Sequence, residues 1–418
     1  MPPATARGSD YPKPVQAQSS FRHGSRSADQ PVASRIVPSL GKGNVLNSLL
    51  SRDLARVLCV AATHLTTLCP QSAKYSRASV QLLSKSLRLL RQNLSRPFTK
   101  DNCDAIVGTA VLINYISWCH LGFLDGQRAS EPNNTGLELF QDQLFLLSPG
   151  VLQVWLQAMP IFIAERSVFI TATHQHPRRN IEETLSRRGN DPTRFVEPFM
   201  KIWDDPRYQT FGIPNPEATT PGGPSSRAWH ILTGLEAEQS WDGVQLSVLS
   251  DPEGVECQLL LQKLRKALWQ ANSGITTVDC PSKLVAAESQ SANPLADLSP
   301  EEATRMSFER VVRLLSPILC CLHPLSIPSH MAIHPNAVPR QADLERLFFA
   351  FPVLCCGPFA ELTMKGDSRA LVVLFHFYRA ARVLLATQKS WWASERSHVL
   401  EALILRELRS RNLGVCLQ

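Results

Sequence analysis

The stretch SRALVVLFHFYRAARVL, residues 368–384, decides the fold class of this chain. It contains the adjacent pair Val372 and Val373, and valine is a residue that favours β-strands. The large apolar side chains around that pair nevertheless recur every three to four residues, which is the period of an α-helix. They are Leu371, Leu374, Phe375, Tyr378, Val383 and Leu384. Asp367 or Ser368 is a suitable N-cap, so the stretch predicts a helix that begins at one of these residues.

The helical period extends through most of the chain. Ser299-Pro300-Glu301-Glu302 is a strong helix start, because it combines an N-cap serine, a proline in the first turn and carboxylates at the positive end of the helix dipole. Pro149 and Gly150 are interpreted as the start of a helix near 151–169. The other predicted helices are 49–68, 74–94, Thr99 or Asp101 to about His120, 252–270, 300 to about 321, 341–351 and 391 to about 411. No convincing strand is present in the sequence, and the predicted fold is all-α.

Two kinds of segment lie outside these helices. Residues 1–45 form a tail rich in proline and serine with six Lys/Arg and two Asp side chains, and we predict that it is disordered and basic. Such a tail can meet phosphate groups, although most are simply solvated. Residues 46–418 are predicted to form one helical domain with irregular segments at about 174–228 and 271–298, although residues near 181–188 could form a short helix. Eight prolines between Pro177 and Pro224 make the first of these a long proline-rich mid-chain connection.

The eleven cysteines form no disulfide or metal-binding pattern. Their number is odd and no two are spaced as C-x2-C, so we expect reduced, buried thiols. The densest candidate cluster is Cys320-Cys321-Leu322-His323, with His330 and His334 downstream. Adjacent cysteines on a helix point about 100° apart, which favours a packing role over chelation. His174-Gln175-His176 lies in a polar loop, and no metal ligand is assigned.

No catalytic motif is found, since the P-loop, dinucleotide-binding, zinc-protease and nucleophile-elbow patterns are all missing from the sequence. We therefore assign no catalytic and no cofactor-binding residue, and we predict that the chain is not an enzyme. Lys85, Arg88 and Arg91 form a basic helix face that could touch phosphates, but a solvated surface is the more common explanation. No uninterrupted apolar segment is long enough to predict a membrane span.

Two apolar features are interpreted as structural. The pair Trp391-Trp392 could stack on nucleic-acid bases, but a tryptophan pair at a helix start more often fills a core. The stripe Leu83, Leu87 and Leu90 is predicted to be buried. A charge placed there would lack a partner, so Leu87→Asp is expected to unfold or aggregate the chain.

Several short motifs occur in two separate stretches. Residues 47–120 contain Leu49-Leu50, Ala61-Ala62-Thr63-His64-Leu65, Tyr75, the leucines of 83–94, and Thr99-Lys100-Asp101-Asn102-Cys103-Asp104-Ala105. Later stretches contain Leu144-Phe145-Leu146-Leu147-Ser148-Pro149-Gly150-Val151, then Ala370-Leu371-Val372-Val373-Leu374-Phe375-His376-Phe377, Trp391-Trp392 and His398-Val399-Leu400. In order and spacing, over about 47–170 and 340–405, they resemble the regulatory domain of fungal binuclear zinc cluster (Zn2Cys6) transcription factors of the sterol-uptake-regulator type. That family usually has glutamate where Asp101 stands.

The resemblance implies an all-α, multi-helix fungal transcription factor regulatory domain. In that family a six-cysteine cluster, beginning C-x2-C-x6-C, holds two zinc ions and reads DNA near the N-terminus. This chain has no cysteine before Cys59, so no position corresponds to a zinc ligand or to a base-contacting residue. We therefore expect no cofactor and no metal site in these residues, and an indirect contact with DNA.

The main hypothesis is a transcriptional regulator in the nucleus, represented by its regulatory and activation region and controlling a metabolic or biosynthetic pathway such as secondary metabolism. It would act through regulatory proteins or a DNA-binding partner, or through a zinc cluster encoded by an upstream exon. A small-molecule effector could bind in a cavity between helices, and no membrane partner is expected. The alternative is a helical interaction or scaffold protein without a transcriptional role. A helical enzyme with an unrecognised site is the third class.

Overall fold

The structure is a computed structural model in which residues 57–69, 71–124, 137, 139–164, 167–169, 177–209, 299–322, 338–386 and 390–415 are described. They all belong to one compact unit that spans Asn47–Gln418. Their regular structure is helical, and the described residues contain no strand, which confirms the predicted all-α class. The predicted tail 1–45, the helix 252–270 and the irregular segment 271–298 lie outside the described residues and stay predictions.

We number the α-helices of the described residues in chain order. They are α1 Val57–Leu68, α2 Ala73–Leu94, α3 Lys100–Cys119, α4 Gln143–Ala164, α5 Pro177–Ser186, α6 Val196–Asp204, α7 Pro300–Leu322, α8 Gln341–Leu354, α9 Pro358–Met364, α10 Ser368–Leu384 and α11 Trp391–Ser410. Three short 3-10 helices, Leu139–Gln141, Pro192–Phe195 and Pro206–Tyr208, lie between them.

Helix α10 is the centre of the main hydrophobic core. Every residue from Ala370 to Tyr378 is buried, which agrees with the rule that a helix apolar all round is surrounded by other elements. The ring of Phe377 stacks on Phe351 of α8, with centroids 4.2 Å apart, and lies 5.9 Å from the ring of Trp118 of α3. Helices α7 and α11 also pack against α10. This core therefore joins residues from both halves of the chain.

A smaller core lies between α3 and α4. It consists of the buried residues Cys103, Ile106, Val107, Ala110, Val151, Val154, Ala158, Met159 and Phe162. The rings of Trp155, Phe162 and Phe169 pack around one another with centroids between 5.5 and 5.7 Å apart. Since the other end of α3 carries Trp118 in the main core, α3 connects the two cores.

The predicted helix starts at Ser299 and Asp367 are confirmed. The Glu302 N–H donates to Ser299 Oγ (3.2 Å), and the Ser299 N–H donates to Glu302 Oε2 (2.9 Å), which is a reciprocal capping box. Asp367 Oδ1 accepts from the Arg369 N–H at 2.9 Å. In each case a side chain satisfies a backbone group that the first turn leaves without an intrahelical partner.

Helix α4 begins earlier than predicted. The sequence placed its start at Pro149 and Gly150, but the helix runs from Gln143 through both residues. Asp142 stands directly before it, and Asp142 Oδ1 accepts a hydrogen bond from the Leu144 N–H at 3.0 Å. Leu144 and Phe145 are buried, so the packing of the first turn outweighs the helical hydrogen bond that Pro149 cannot donate.

The segment predicted as irregular at 174–228 is helical over most of 177–209. Helix α5 overlaps the short helix allowed near 181–188, and the prediction of irregular structure is wrong for the other helical residues of this range. Asp191 and Asp205 each precede a proline turn, and their Oδ1 atoms accept from backbone N–H groups two residues on, at 2.8 and 3.0 Å. The prolines stand in first turns, where they do not interrupt a helix. The segment also contributes buried side chains to the main core: Ile181, Leu185, Phe199 and Trp203.

Helix α9 has no counterpart in the sequence prediction. It follows Gly357, whose φ of 73° lies in the left-handed region that glycine adopts without strain. Gly357 thereby allows a sharp turn between α8 and α9, which are bent by 85° at their break. Only this bent pair is long and apolar enough together to cross a membrane, and no single helix of the described residues is.

The leucine stripe of α2 is only partly buried, contrary to the prediction. Leu83 and Leu90 are half-buried, Leu87 is 38% exposed, and Ser86 is the buried residue of this helix. Helix α2 packs against α3 and presents the rest of its surface outward. The periodicity placed the helix correctly, but it did not reveal how little of the apolar side faces the core.

Replacement of Leu87 by Asp should therefore be tolerated, unlike the same change in the main core. We expect Leu87→Asp to lower the free energy of unfolding by less than about 1 kcal/mol, because the carboxylate stays in water and lies four residues before Arg91. The matched control is Leu374→Asp, at a fully buried residue, which should cost more than about 4 kcal/mol. Thermal and urea unfolding followed by circular dichroism measures both. Equal losses would show that α2 is as deeply packed as α10.

Candidate functional site

An open cleft of about 1500 Å³ lies between α1 and α2 on one side and α10 and α11 on the other, with α3 at its floor. Thr63, His64 and Val80 line the first wall, Leu385 and Trp391 line the second, and Ile116 lies below. A pocket of this size is large enough for a small organic molecule. We treat this cleft as the candidate functional site.

Aromatic rings form the apolar end of the cleft. His64 of α1 stacks on Trp391 of α11, with ring centroids 4.2 Å apart and an interplanar angle of 13°. The edge of the Tyr115 ring meets Trp391 at 5.7 Å. Trp391 is half-buried, so part of its surface remains open to a ligand or a side chain that enters the cleft.

The hydroxyl groups of the α1 wall are held by their own helix or by α2. Thr63 Oγ1 donates to the Cys59 carbonyl oxygen at 2.9 Å and lies 2.7 Å from Ser79 Oγ of α2. Thr66 and Thr67 hydroxyls also donate to carbonyl groups of α1. A hydroxyl that donates inward still has lone pairs available as acceptors. The hydroxyl oxygens of this wall can therefore accept hydrogen bonds from the N–H or O–H groups of a ligand.

Charge contributes little to the cleft lining. Arg382 of α10 is a lining residue, but its guanidinium already pairs with both carboxylate oxygens of Glu401. Glu395 is exposed at the other margin. Most of the other lining side chains are aliphatic, aromatic or hydroxylated. The cleft is thus suited to a largely apolar molecule that carries hydroxyl or amide groups.

The cysteine thiols at the cleft are not activated. Burial raises the pKa of Cys119 to about 12 despite the nearby Arg396 cation, which acts in the opposite direction. Cys119 lines the cleft, and its Sγ–H donates to the Tyr115 carbonyl oxygen at 3.5 Å. Burial also raises the pKa of Cys59 to about 11. Both thiols are protonated at neutral pH, and the thiol is the less nucleophilic form.

A buried arginine positions the helices behind the cleft. Arg396 of α11 has no exposed surface on its side chain, and its Nη1 donates to Asp142 Oδ2 at 2.7 Å. Nε donates to the Trp118 carbonyl oxygen (2.9 Å), and Nη2 donates to those of Ser117 (2.9 Å) and His120 (2.6 Å). These carbonyl groups belong to the C-terminal end of α3, where a cation is favoured by the helix dipole.

The acid–base properties of this cluster follow from the pairing. Burial alone would lower the pKa of Arg396, but the Asp142 carboxylate and the Tyr378 phenol outweigh it and the pKa is raised. Burial raises the pKa of the Tyr378 hydroxyl as well, again against the nearby guanidinium. The pairing therefore favours the charged form of the arginine, and the cluster acts as a clamp between α3, α4 and α11.

Of the cysteine, histidine and tryptophan residues named from the sequence as candidate metal ligands or base-stacking groups, the structure places only Trp391, among those it describes, in the lining of the cleft. Cys320 is buried and Cys321 half-buried on α7, in agreement with a packing role. The described residues hold no group of three or more His, Cys, Asp or Glu side chains close enough to bind a metal ion, and the histidines at 174, 176, 323, 330 and 334 lie outside them. Trp392 is buried against Trp118 at 4.8 Å, as predicted for a core residue. Trp391, its neighbour, instead lines the cleft.

Arg396 and Asp142 are functional residues that the sequence motifs did not reveal. A signal for the arginine is present, because Arg396 stands midway between Trp392 and Leu400 at i, i+4 and i+8, on the buried face of α11. A charged residue in an apolar stripe indicates a buried partner. The position of Asp142 carries no comparable signal, since it lies in a turn between the Leu139–Gln141 helix and α4.

Comparison of the chain with protein-family models, with curated proteins and with solved structures finds no match. The resemblance to fungal zinc cluster factors therefore depends only on the motifs quoted from the sequence.

Breaking the buried pair should destabilise the protein strongly. Arg396→Met or Asp142→Leu alone leaves one buried charge without its partner, and we expect each to cost about 3–5 kcal/mol of unfolding free energy. The double variant should cost less than the two losses added together, with a coupling of at least about 1 kcal/mol. Urea unfolding of the four proteins measures the coupling.

The exposed pair Arg382 and Glu401 supplies the matched control for this cycle, since the Arg382 side chain is 43% exposed. Arg382→Met and Glu401→Leu should show a coupling well below that of the buried pair, in the range of about 0.2–1 kcal/mol. If Arg396 and Asp142 proved additive, the proposed clamp would be refuted.

Proposed function

We propose that the helical domain is the regulatory region of a nuclear transcriptional regulator that controls a metabolic or biosynthetic pathway. The supporting observation is that described residues from both stretches that resemble the fungal regulatory domain, about 47–120 and 370–400, line one cleft. Helices α1 to α3 come from the first stretch, and α10 and α11 from the second.

Specific contacts join these stretches although they are far apart in sequence. The Arg396 guanidinium reaches the Trp118 carbonyl oxygen across 278 positions of the chain. The Cys119 Sγ also lies 3.8 Å from the Trp392 carbonyl oxygen, a second acceptor for its one hydrogen, and Trp391 stacks on His64. Motifs shared with a family by coincidence need not meet in space. Their meeting in one cleft supports the family proposal.

In this proposal the cleft is the regulatory site. A largely apolar effector with hydroxyl or amide groups would contact both walls, and it would favour whichever arrangement of the walls it binds more tightly. DNA would be reached through a DNA-binding partner or other regulatory proteins. We assign no zinc ligand, no base-contacting residue, no catalytic residue and no cofactor, and the proposed role is not enzymatic.

The proposal can be tested by tethering the full chain to an unrelated DNA-binding domain upstream of a reporter gene. We expect a change in reporter transcription relative to the DNA-binding domain alone, because a regulatory region acts wherever it is recruited. The fusion with Leu374→Asp, which should not fold, is the control and should lose the effect. A wild-type fusion that is stable, nuclear and without effect in all growth conditions would refute the proposal and favour a scaffold protein.

The role of the cleft can be tested within the same assay. Ser84 is an exposed residue that lines the cleft, and Ala402 is exposed on α11 but does not line it. We expect Ser84→Trp to alter the response of the tethered reporter to growth conditions by partly filling the cleft, whereas Ala402→Trp should leave it unchanged. Melting curves should be alike for both variants, because both positions face solvent. Identical reporter responses would place regulation elsewhere on the domain.

A further inference from the structure

Helix α2 carries an unusual concentration of positive charge. Between Gln71 and Lys100 the sequence has no aspartate or glutamate. The cations in this range, which we call the basic ridge, are Lys74, Arg77, Lys85, Arg88, Arg91, Arg96 and Lys100. All of them are exposed.

The basic ridge has no counter-charge in the described part of the chain. None of its cations lies within 4.0 Å of a carboxylate that the structure describes, whereas arginines elsewhere commonly do, for example Arg313 with Glu309 at 2.7 Å and Arg369 with Asp367 at 2.7 Å. Within α2, Lys85, Arg88 and Arg91 follow one another at intervals of three residues, which places like charges side by side. This repulsion destabilises the helix slightly and would be relieved by an anionic partner.

An apolar stripe borders the ridge on the side of the cleft. Val80, Leu87 and Leu94 are spaced by seven residues and are 60%, 38% and 40% exposed. At 100° per residue they fall on one arc of the helix, next to the arc that contains the ridge. Val80 and Leu87 also line the cleft. The helix thus presents a surface that is basic on one side and apolar, at the margin of the cleft, on the other.

The shape and chemistry of this surface favour a peptide over other anionic partners. A nucleic-acid backbone would meet the cations but would leave the leucines and the valine exposed. An amphipathic helix that binds a bilayer inserts its apolar side into a flat interface, whereas this stripe follows the margin of a cleft. An acidic, leucine-rich segment could place carboxylates on the ridge and apolar side chains on the stripe together.

We propose that this segment is residues 228–262 of the same chain, and that it binds along α2. Between Arg227 and Lys263 the sequence has no Lys or Arg, and it has six carboxylates: Glu236, Glu238, Asp242, Asp251, Glu253 and Glu256. Apolar side chains are interspersed among them, including Leu235, Trp241, Val244, Leu246, Val248 and Leu249. The segment is complementary to α2 both in charge and in apolar character.

The connecting lengths allow the contact. The described residues stop at Gln209 and resume at Ser299, so the segment is tethered on both sides by connections that, fully extended, reach about 60 Å or more. A domain of this length has a radius of gyration of about 21 Å. Each connection is therefore at least about as long as the domain is wide. The contact does not depend on a transcriptional role, and its test is independent of the reporter assays.

A zero-length carbodiimide crosslinker tests the contact in the full chain, because it joins a lysine amine to a carboxylate only when the two touch. We expect Lys74 and Lys85 to be joined to the tryptic peptide 228–263, identified by mass spectrometry, with a yield that falls at high salt. Lys201 and Lys365 are internal controls, since each lies within 4.0 Å of a glutamate on its own helix, Glu197 and Glu361 respectively. They should show only those local crosslinks.

Reversing the charge of the basic ridge tests whether the crosslink reports specific docking or random collision of the groups that it joins. The triple variant Arg77→Glu, Arg88→Glu, Arg91→Glu keeps both reporter lysines, and the crosslink should fall several-fold. The matched control is Arg379→Glu, Arg406→Glu, Arg409→Glu, which makes the same change in net charge at exposed positions of α10 and α11 and should leave the crosslink unchanged.

Three results would overturn the proposal. One is the absence of the crosslink. If DNA or anionic vesicles then bound to the ridge, they would be the occupant instead of residues 228–262. Another is a crosslink that both triple variants retain equally. The third is a crosslink that forms between isotopically labelled and unlabelled chains as readily as within one chain, which would identify a second copy as the occupant.

Discussion

The pairing of Arg396 with Asp142 constrains the whole arrangement of helices. Removing either charge from water costs several kcal/mol unless a partner is in place, and both side chains are fully buried. The arginine also satisfies carbonyl groups at the C-terminal end of α3, while the aspartate accepts from the N-terminal turn of α4. Each charge therefore lies at the helix end whose dipole favours it. Helices α3, α4 and α11 can be buried together only in the arrangement that brings these groups into contact.

The cleft follows from this constraint. Trp391 lies five residues before Arg396, so the fixed position of the arginine also fixes where α11 begins and where the tryptophan meets His64. The two walls differ in how firmly they are held. Helix α10 is buried along most of its length, whereas α1 and α2 expose Val57, Leu58, Leu68 and Val80. Helices with few buried contacts open at lower free-energy cost than a core helix. A ligand in the cleft would thus act mainly on the wall formed by α1 and α2.

The sequence predicted those parts of the fold that depend on local chemistry. Helix α10 and the starts at Ser299 and Asp367 follow from periodicity and capping, and both act within a few residues. The start of α4 could not be predicted in this way, because Pro149 is tolerated only through the burial of Leu144 and Phe145. Helices α5 and α6 have only 10 and 9 residues and lie among prolines, so the prolines outweighed their apolar spacing in the prediction. The clamp at Arg396 could not be predicted because its partner, Asp142, is 254 positions away in sequence. The cleft could not be predicted either, since hydrophobic periodicity does not show which helices pack side by side.

The distribution of charge links the cleft to the surface of α2. Val80 and Leu87 belong both to the cleft lining and to the apolar stripe beside the basic ridge. A small molecule that covers these side chains and an acidic segment that packs on them would exclude each other. Linkage makes this competition reciprocal, because an effector that weakens docking of the segment must itself bind less tightly when the segment is docked. Val80 and Leu87 would in that way couple binding of an effector in the cleft to release of residues 228–262. This coupling requires no change in the buried core around α10.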